Sequence, residues 1–233
     1  MGTTFVYPIR RRSTKDTNAK IVSAGNNLRD QLRKPTGWVG RFVLWEMNRH
    51  HSKLTDWGLS HVAIKKIDTI LDIGCGGGRT ISKLAAIASD GRVHGIDYSE
   101  ESVAAAKRQN ARWIDIGRVE INQASVSQLP FADNTFDLVT AIETHFFWPN
   151  LHADVEEVLR VIKSGGAFII IAEVYKGGKK MAGKLAEKYI ELTNMTLLTV
   201  DEHYELFKNA GFSDVRIFEE QDKGWICGIG RKH

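Results

Sequence analysis

From residue 68 onward, short apolar runs alternate with stretches in which apolar residues recur every three or four positions. DTILDIG, RVHGID, RVEINQ, FDLVTAI and GAFIIIAEV read as five strands. Between them, RTISKLAAIASDG reads as a helix ended by Gly91, and EESVAAAKRQNARWI as a single helix with Ser99 as N-cap and acidic residues in its first turn. LHADVEEVLRVIKSGG carries Val155, Val158, Leu159 and Ile162 on one helical stripe and is closed by Gly165 and Gly166. KGGKKMAGKLAEKYIELTNM, with Met181, Leu185, Tyr189 and Leu192 at amphipathic spacing, reads as an inserted helix whose basic, glycine-bearing start at 176–184 is either a lid edge or a solvated turn. DEHYELFKNAGF is another helix, and VRIFEE and GWICGIG are the sixth and seventh strands. Strand and helix in strict alternation predict an α/β fold, a doubly wound parallel sheet with helices on both faces.

Composition divides the chain more sharply than it classifies it. Residues 1–66 hold 13 basic and 4 acidic residues, net +9, whereas residues 67–233 hold 19 and 24, net −5. This predicts a basic arm with cap helices over 1–66, ahead of one domain over 67–233. In the cap, Trp38, Phe42, Trp45 and Met47 fall at mostly helical spacings. The basic segment suits either a solvated arm or an acidic partner. The longest apolar run, Ala167–Ala172, is six residues, against about twenty for a membrane-spanning helix, so no span is expected. Two cysteines, Cys75 and Cys227, make neither a disulfide framework nor a multi-cysteine metal site, and a cytoplasmic, reducing setting is the expectation.

The chemistry gathers around the first strand. Gly74, Gly76 and Gly78 lie between that strand and a helix, where residues without Cβ let the chain turn tightly and bring backbone N–H groups against a ligand. Nineteen residues beyond Gly78, Asp97 ends the second strand, placed to accept both hydrogen bonds of a ribose diol. The pattern is not the dinucleotide fingerprint, because Arg79 stands where G-x-G-x-x-G requires its third glycine.

LDIGCGGG, Asp97 in GIDYS, LPFADNTFDLV and EVLRVIKSGG, in this order, resemble the class I S-adenosylmethionine-dependent methyltransferases over residues 68–233, within the broad small-molecule group that includes the quinone-biosynthesis enzymes. The resemblance implies a Rossmann-like sheet of seven strands, mostly parallel with an antiparallel last strand. It implies S-adenosylmethionine as the methyl donor and S-adenosylhomocysteine as its product; no metal is expected, because the adjacent His50 and His51 would point about 100° apart on a helix and could not easily ligate one ion. It places Asp72 near the amino group of the methionine moiety and lines that moiety with the backbone of Gly74, Cys75 and Gly76. Asp97 takes the ribose hydroxyls and Tyr98 packs on the adenine. Where the family commonly has an acidic residue for the adenine amino group, this chain has Ser125, leaving the contact to Ser125, the Val126 backbone or Gln128. Glu143 borders the pocket.

Methyl transfer from a sulfonium is an in-line displacement that needs alignment and exclusion of water more than an elaborate catalytic set. A general base helps where the nucleophile bears a proton, and His145, after the fourth strand, is the candidate. The alternative for His145 is a hydrogen bond to loop backbone, or a cofactor contact without proton transfer. Phe147 and Trp148 either wall an apolar substrate pocket or anchor a loop, and Tyr175, Trp45 and His50 are further substrate-side candidates. Cys75 reads as a small residue lining the site rather than a nucleophile. A small, partly apolar methyl acceptor is the leading expectation. Methylation of RNA or protein, suggested by the basic arm, and a non-catalytic cofactor-binding module are the alternatives. Nucleic acid is disfavoured, since neither an Asn-Pro-Pro-aromatic motif nor a Pro-Cys nucleophile is present.

Overall fold

A computed structural model describes residues 52–179 and 195–233. Its elements in chain order are α1 (Ser52–Leu59), β1 (Thr69–Ile73), α2 (Arg79–Ile87), β2 (Arg92–Asp97), α3 (Glu100–Gln109), α4 (Ala111–Asp115), β3 (Val119–Gln123) and β4 (Phe136–Ile142). A short 3₁₀ turn (His145–Phe147), α5 (Leu151–Val161), β5 (Ile162–Ala172), α6 (Val200–Asn209), β6 (Ser213–Glu220) and β7 (Trp225–Arg231) complete them. The inserted helix expected from Met181, Leu185, Tyr189 and Leu192 lies largely outside the described residues, as do Trp45 and His50.

The seven strands form one sheet in the order β3-β2-β1-β4-β5-β7-β6, parallel except at β7, which runs antiparallel to both its neighbours. Period-two alternation splits the strand side chains between two cores. Ile70, Val93, Leu138, Ile169 and Ile171 face α1 to α3, through Leu54, Ile81, Leu84, Val103 and Ala106. Leu71, Ile96, Val139, Phe168 and Ile170 face α5 and α6, through Val155, Val158, Leu206 and Phe207. Burial on both faces explains why β5 reads as an unbroken apolar run rather than an alternating one.

The helix ends follow local chemistry. Ser99 caps α3, its hydroxyl accepting from the Ser102 N–H at 3.3 Å, and Thr199 and Glu202 form a reciprocal capping box on α6. Two boundaries differ from the sequence pattern. EESVAAAKRQNARWI breaks at Asn110, whose buried amide donates to the carbonyls of Gly78 (2.8 Å) and Ala106 (2.9 Å) and accepts from the Ser82 hydroxyl (2.7 Å). An asparagine that ties a helix end to the glycine turn ends that helix. The other helix stops at Val161, ahead of Gly165 and Gly166: Ile162 already pairs with Phe136, and the Gly165 N–H donates to Lys232 O at 2.8 Å inside a bulged strand start.

α1 sits tightly on the sheet. A Cβ at Gly58 would collide with the Ile171 side chain, and the Cys227 thiol lies 3.7 Å from Gly58 O. Strand order reverses between β1 and β4, and the carboxyl ends of the strands at that switch point are where a doubly wound sheet opens a crevice.

Candidate functional site

β1 ends in a turn built on three left-handed residues, Gly74 (φ 72°), Gly76 (φ 51°) and Gly78 (φ 80°). Two consecutive N–H groups, of Gly74 and Cys75, donate to the single carbonyl of Ile96 at 2.8 and 3.0 Å, which fastens the turn to β2. At Gly74 a side chain is excluded twice over, by the backbone angle and by the Thr144 side chain that a Cβ would strike. α2 begins at Gly78 with no side-chain cap on its N-terminus.

Asp97 closes the turn from the end of β2. Its Oδ2 accepts from the Gly76 N–H at 2.9 Å and its Oδ1 from the Ser99 N–H at 2.8 Å, and the carboxylate also accepts from the Ser102 hydroxyl. Burial raises its pKa, against the opposing pull of those bonds. Asp72 is 2% exposed, and its carboxylate accepts from the Thr140 hydroxyl at 2.6 Å across the β1–β4 pairing. Burial, and secondarily the Asp97 charge, push the Asp72 pKa up to about 7 despite the Thr140 bond. The site therefore holds two carboxylates whose ionised forms are poorly compensated, an arrangement a cationic ligand would satisfy. S-Adenosylmethionine, with a sulfonium and an ammonium, has the charge this pair lacks.

The adenine-side candidates stand beside Asp97. Tyr98, next to Asp97 in sequence, is 62% exposed. The Ala124 N–H donates to Asp97 O at 3.2 Å, bringing the following segment to the end of β2. Ser125 and Gln128 are bridged, with the Gln128 N–H 3.3 Å from Ser125 O, so residues 125–128 form one tight turn in which Val126 points into the core and Gln128 is exposed. Glu143 borders the crevice at the end of β4 with φ 58°, a conformation uncommon outside glycine. Its backbone N–H donates to Ile171 O, and its carboxylate accepts from the Glu173 N–H.

Cys75 lies beneath the turn, 7% exposed, with burial first and then the Asp97 and Asp72 charges pushing its thiol well up and away from the reactive thiolate. Thr140, Thr144 and Asn110 share in shaping the site without having stood out in the sequence.

The substrate-side candidates are directed elsewhere. His145 is 1% exposed, and its Nε2 lies 3.2 Å from Nε2 of His203 on α6. His203 Nδ1 is 2.7 Å from Thr199 O, and a carbonyl can only accept, so Nδ1 carries the His203 proton. Neutral His203 therefore offers a lone pair at Nε2, and His145 must donate to it from its own Nε2–H. That leaves His145 Nδ1 as a buried acceptor with no described hydrogen-bond partner. Burial, and then His203, hold the His145 pKa well below its ordinary value, so the ring is neutral. Trp148 stacks on Phe168 (centroids 6.2 Å apart, planes at 17°) inside the core under α5. Tyr175 donates its hydroxyl to Glu219 at 2.7 Å, and burial followed by that bond pushes its phenol up to about 12. Phe147, half-buried, keeps part of its ring open beside buried Phe146.

A left-handed glycine turn between carboxylates on adjacent parallel strands, at the switch point of a sheet ending in an antiparallel β7, defines a nucleoside-binding domain of the S-adenosylmethionine-dependent methyltransferase class. Residues 71–170 match the family model described as a methyltransferase domain, and this stretch of the chain is an S-adenosylmethionine-dependent methyltransferase domain. It is similar to an O-methyltransferase, cnsE, of Penicillium expansum, 29% identical over 148 residues, covering 64% of this chain and 53% of that protein. It is also similar to a demethylmenaquinone methyltransferase of Oceanobacillus iheyensis, 28% identical over 206 residues, covering 79% and 84%. The chain thus spans about half the length of some curated relatives it matches and most of others. Among solved structures, a SAM-dependent methyltransferase from Aquifex aeolicus superposes with a TM-score of 0.66 at 21% identity, covering 80% of this chain and 95% of that one, a likeness of fold. Among the described residues, no helix is long and apolar enough to cross a membrane.

Proposed function

We propose that this protein transfers a methyl group from S-adenosylmethionine to a small, partly apolar acceptor. The observation that carries the reading is the pair Asp72 and Asp97, both with protonation favoured by burial, flanking a backbone turn that no side chain can fill. S-Adenosylmethionine supplies an electrophilic methyl on a positively charged sulfur. Asp72 balances the cationic methionine end, Asp97 holds the ribose diol, and Tyr98 and the turn at 125–128 enclose the base. Phe147 offers an apolar wall on the acceptor side, in keeping with relatives named for O-methylation and for demethylmenaquinone. His145, neutral and bonded to His203, acts by fixing the loop after β4 rather than by taking a proton.

Calorimetric titration tests the reading. S-Adenosylhomocysteine is expected to bind in the micromolar range and NAD not at all, and a preference for NAD would overturn it. Asp97→Ala is expected to weaken binding by about 2 kcal/mol, or about thirtyfold, for two charge-assisted hydrogen bonds. Incubating the protein with cell extract and labelled donor, and identifying labelled products by mass, then names the acceptor. Label confined to macromolecules would displace the small-molecule assignment.

A further inference from the structure

The turn at 125–128 is held internally by only the Ser125–Gln128 bridge and a 3.2 Å bond from the Ser127 N–H to the Ser125 hydroxyl. Val126 anchors the turn in the core, and its hydrogen-bonded attachment to α5 begins at the next residue, Leu129. The Leu129 N–H donates to Glu157 Oε1 at 2.8 Å and its carbonyl accepts from Arg160 Nη2 at 3.2 Å, so both backbone groups of Leu129 are fixed by side chains of α5. Glu157 and Arg160 are also joined to each other, Nε to Oε2 and Nη2 to Oε1, both at 2.8 Å. The remaining guanidinium nitrogen, Nη1, donates to Phe131 O at 2.9 Å and Asp133 Oδ1 at 2.7 Å. All five N–H groups of Arg160 are thereby used, in a planar fork that no other side chain reproduces. At its other end the turn is tied to Asp97 O through Ala124.

We propose that Glu157 and Arg160 are positioning residues for cofactor recognition, a clamp that sets the turn at 125–128 at the height where its polar groups read the edge of the adenine. The proposal rests on the cofactor reading above. Base recognition by hydrogen bonds tolerates a donor–acceptor range of only about half an ångström, 2.7–3.2 Å, so a turn released from Leu129 loses the base edge first. The ribose and methionine contacts, made from β1 and β2, do not depend on α5. Arg160 holds the Glu157 carboxyl below the usual carboxylate range, so the clamp is charged at neutral pH.

The test compares binding of S-adenosylhomocysteine with that of S-inosylhomocysteine, which carries a carbonyl in place of the base's exocyclic amine. The wild-type protein is expected to prefer the adenosyl ligand by about tenfold, the worth of one hydrogen bond. Arg160→Ala is expected to bring that ratio near one, and Arg160→Lys, with three donors and no fork, to leave it between the two. If Arg160→Ala does not fold, Glu157→Gln gives the same readout, retaining an acceptor for Leu129 while losing the charge that orients Arg160. A ratio unchanged in folded variants, even with lowered melting temperature, would show a structural staple and overturn the proposal. So would a wild-type protein that binds both ligands equally. Failure of the wild-type protein to bind either ligand would instead remove the cofactor reading, before any substitution is made.

Discussion

The two sides of the crevice are built in opposite ways. On the β1–β2 side the shape is made by backbone: glycines with left-handed angles, paired N–H groups on Ile96 O, and an Asp97 carboxylate held by the Gly76 N–H. On the β4–β5–α6 side it is made by side chains directed at one another, with His145 on His203, Tyr175 on Glu219 and Trp148 on Phe168. The first side is the one our proposal gives to the cofactor. The second is a local packing solution, the kind of surface on which acceptor specificity varies.

The sharpest way to break the contrast is to put a side chain into the backbone-made half. Gly74→Ala adds a Cβ at φ 72° that strikes Thr144, whereas Gly117→Ala adds one at the same φ of 72° with nothing within 4 Å. The angle alone costs about 1–2 kcal/mol, and overpacking adds about 1–3 kcal/mol. Urea unfolding should therefore show Gly74→Ala as the more damaging by the overpacking part, with S-adenosylhomocysteine binding lost only there. Equal losses of stability in the two variants would mean that Thr144 yields freely and the turn is not sterically fixed.

This contrast also explains what the sequence made legible. All seven strands were visible, because burial on one or both faces imposes an apolar rhythm. Gly74, Gly76, Gly78 and Asp97 stand out by their spacing around the first two strands, whereas Asp72 stands out only through the family resemblance. The Asn110 break was hidden because asparagine is an ordinary residue in an amphipathic pattern until its amide finds Gly78. His145 met His203 across 58 positions, and Tyr175 met Glu219 across 44, pairings that nothing in local spacing announces. The start of β5 reads as the end of a helix because its Lys-Ser-Gly-Gly looks like a helix stop. The antiparallel partner, through Lys232 O, extends the strand across it.

A smaller effect separates a positioning histidine from a catalytic one. His203→Leu strands the buried Nε2–H of His145, and His145→Phe strands the lone pair of His203, each at about 1–3 kcal/mol. Removing both polar partners together leaves nothing unsatisfied. The double variant should therefore be destabilised by less than the sum of the singles, measured by urea unfolding. Turnover should fall similarly in both singles and recover in part in the double. A loss of about a hundredfold or more confined to variants lacking His145, with His203→Leu spared, would instead make His145 the general base.

The smallest expected effect is a pH dependence confined to the backbone-made side. With a pKa of about 7, Asp72 is largely protonated in the empty pocket at pH 6 and largely ionised at pH 8. A cationic ligand favours the ionised form, so binding releases a proton from it. Affinity for S-adenosylhomocysteine should then rise by about tenfold at most between pH 6 and pH 8 and level off above. For folding the sign is reversed. A carboxyl whose folded pKa is raised from 3.8 stabilises the empty protein in the acid range and loses that contribution as pH climbs through 7, so Asp72→Asn should gain in stability on the wild type over that interval. Titrating Asp72→Asn in parallel removes the ligand's own ionisation from the comparison, and any rise it retains belongs to Asp97, whose pKa is raised in the same direction. Identical pH profiles in the two proteins would place the titrating group outside Asp72 and deny it the role of counter-charge to the methionine end.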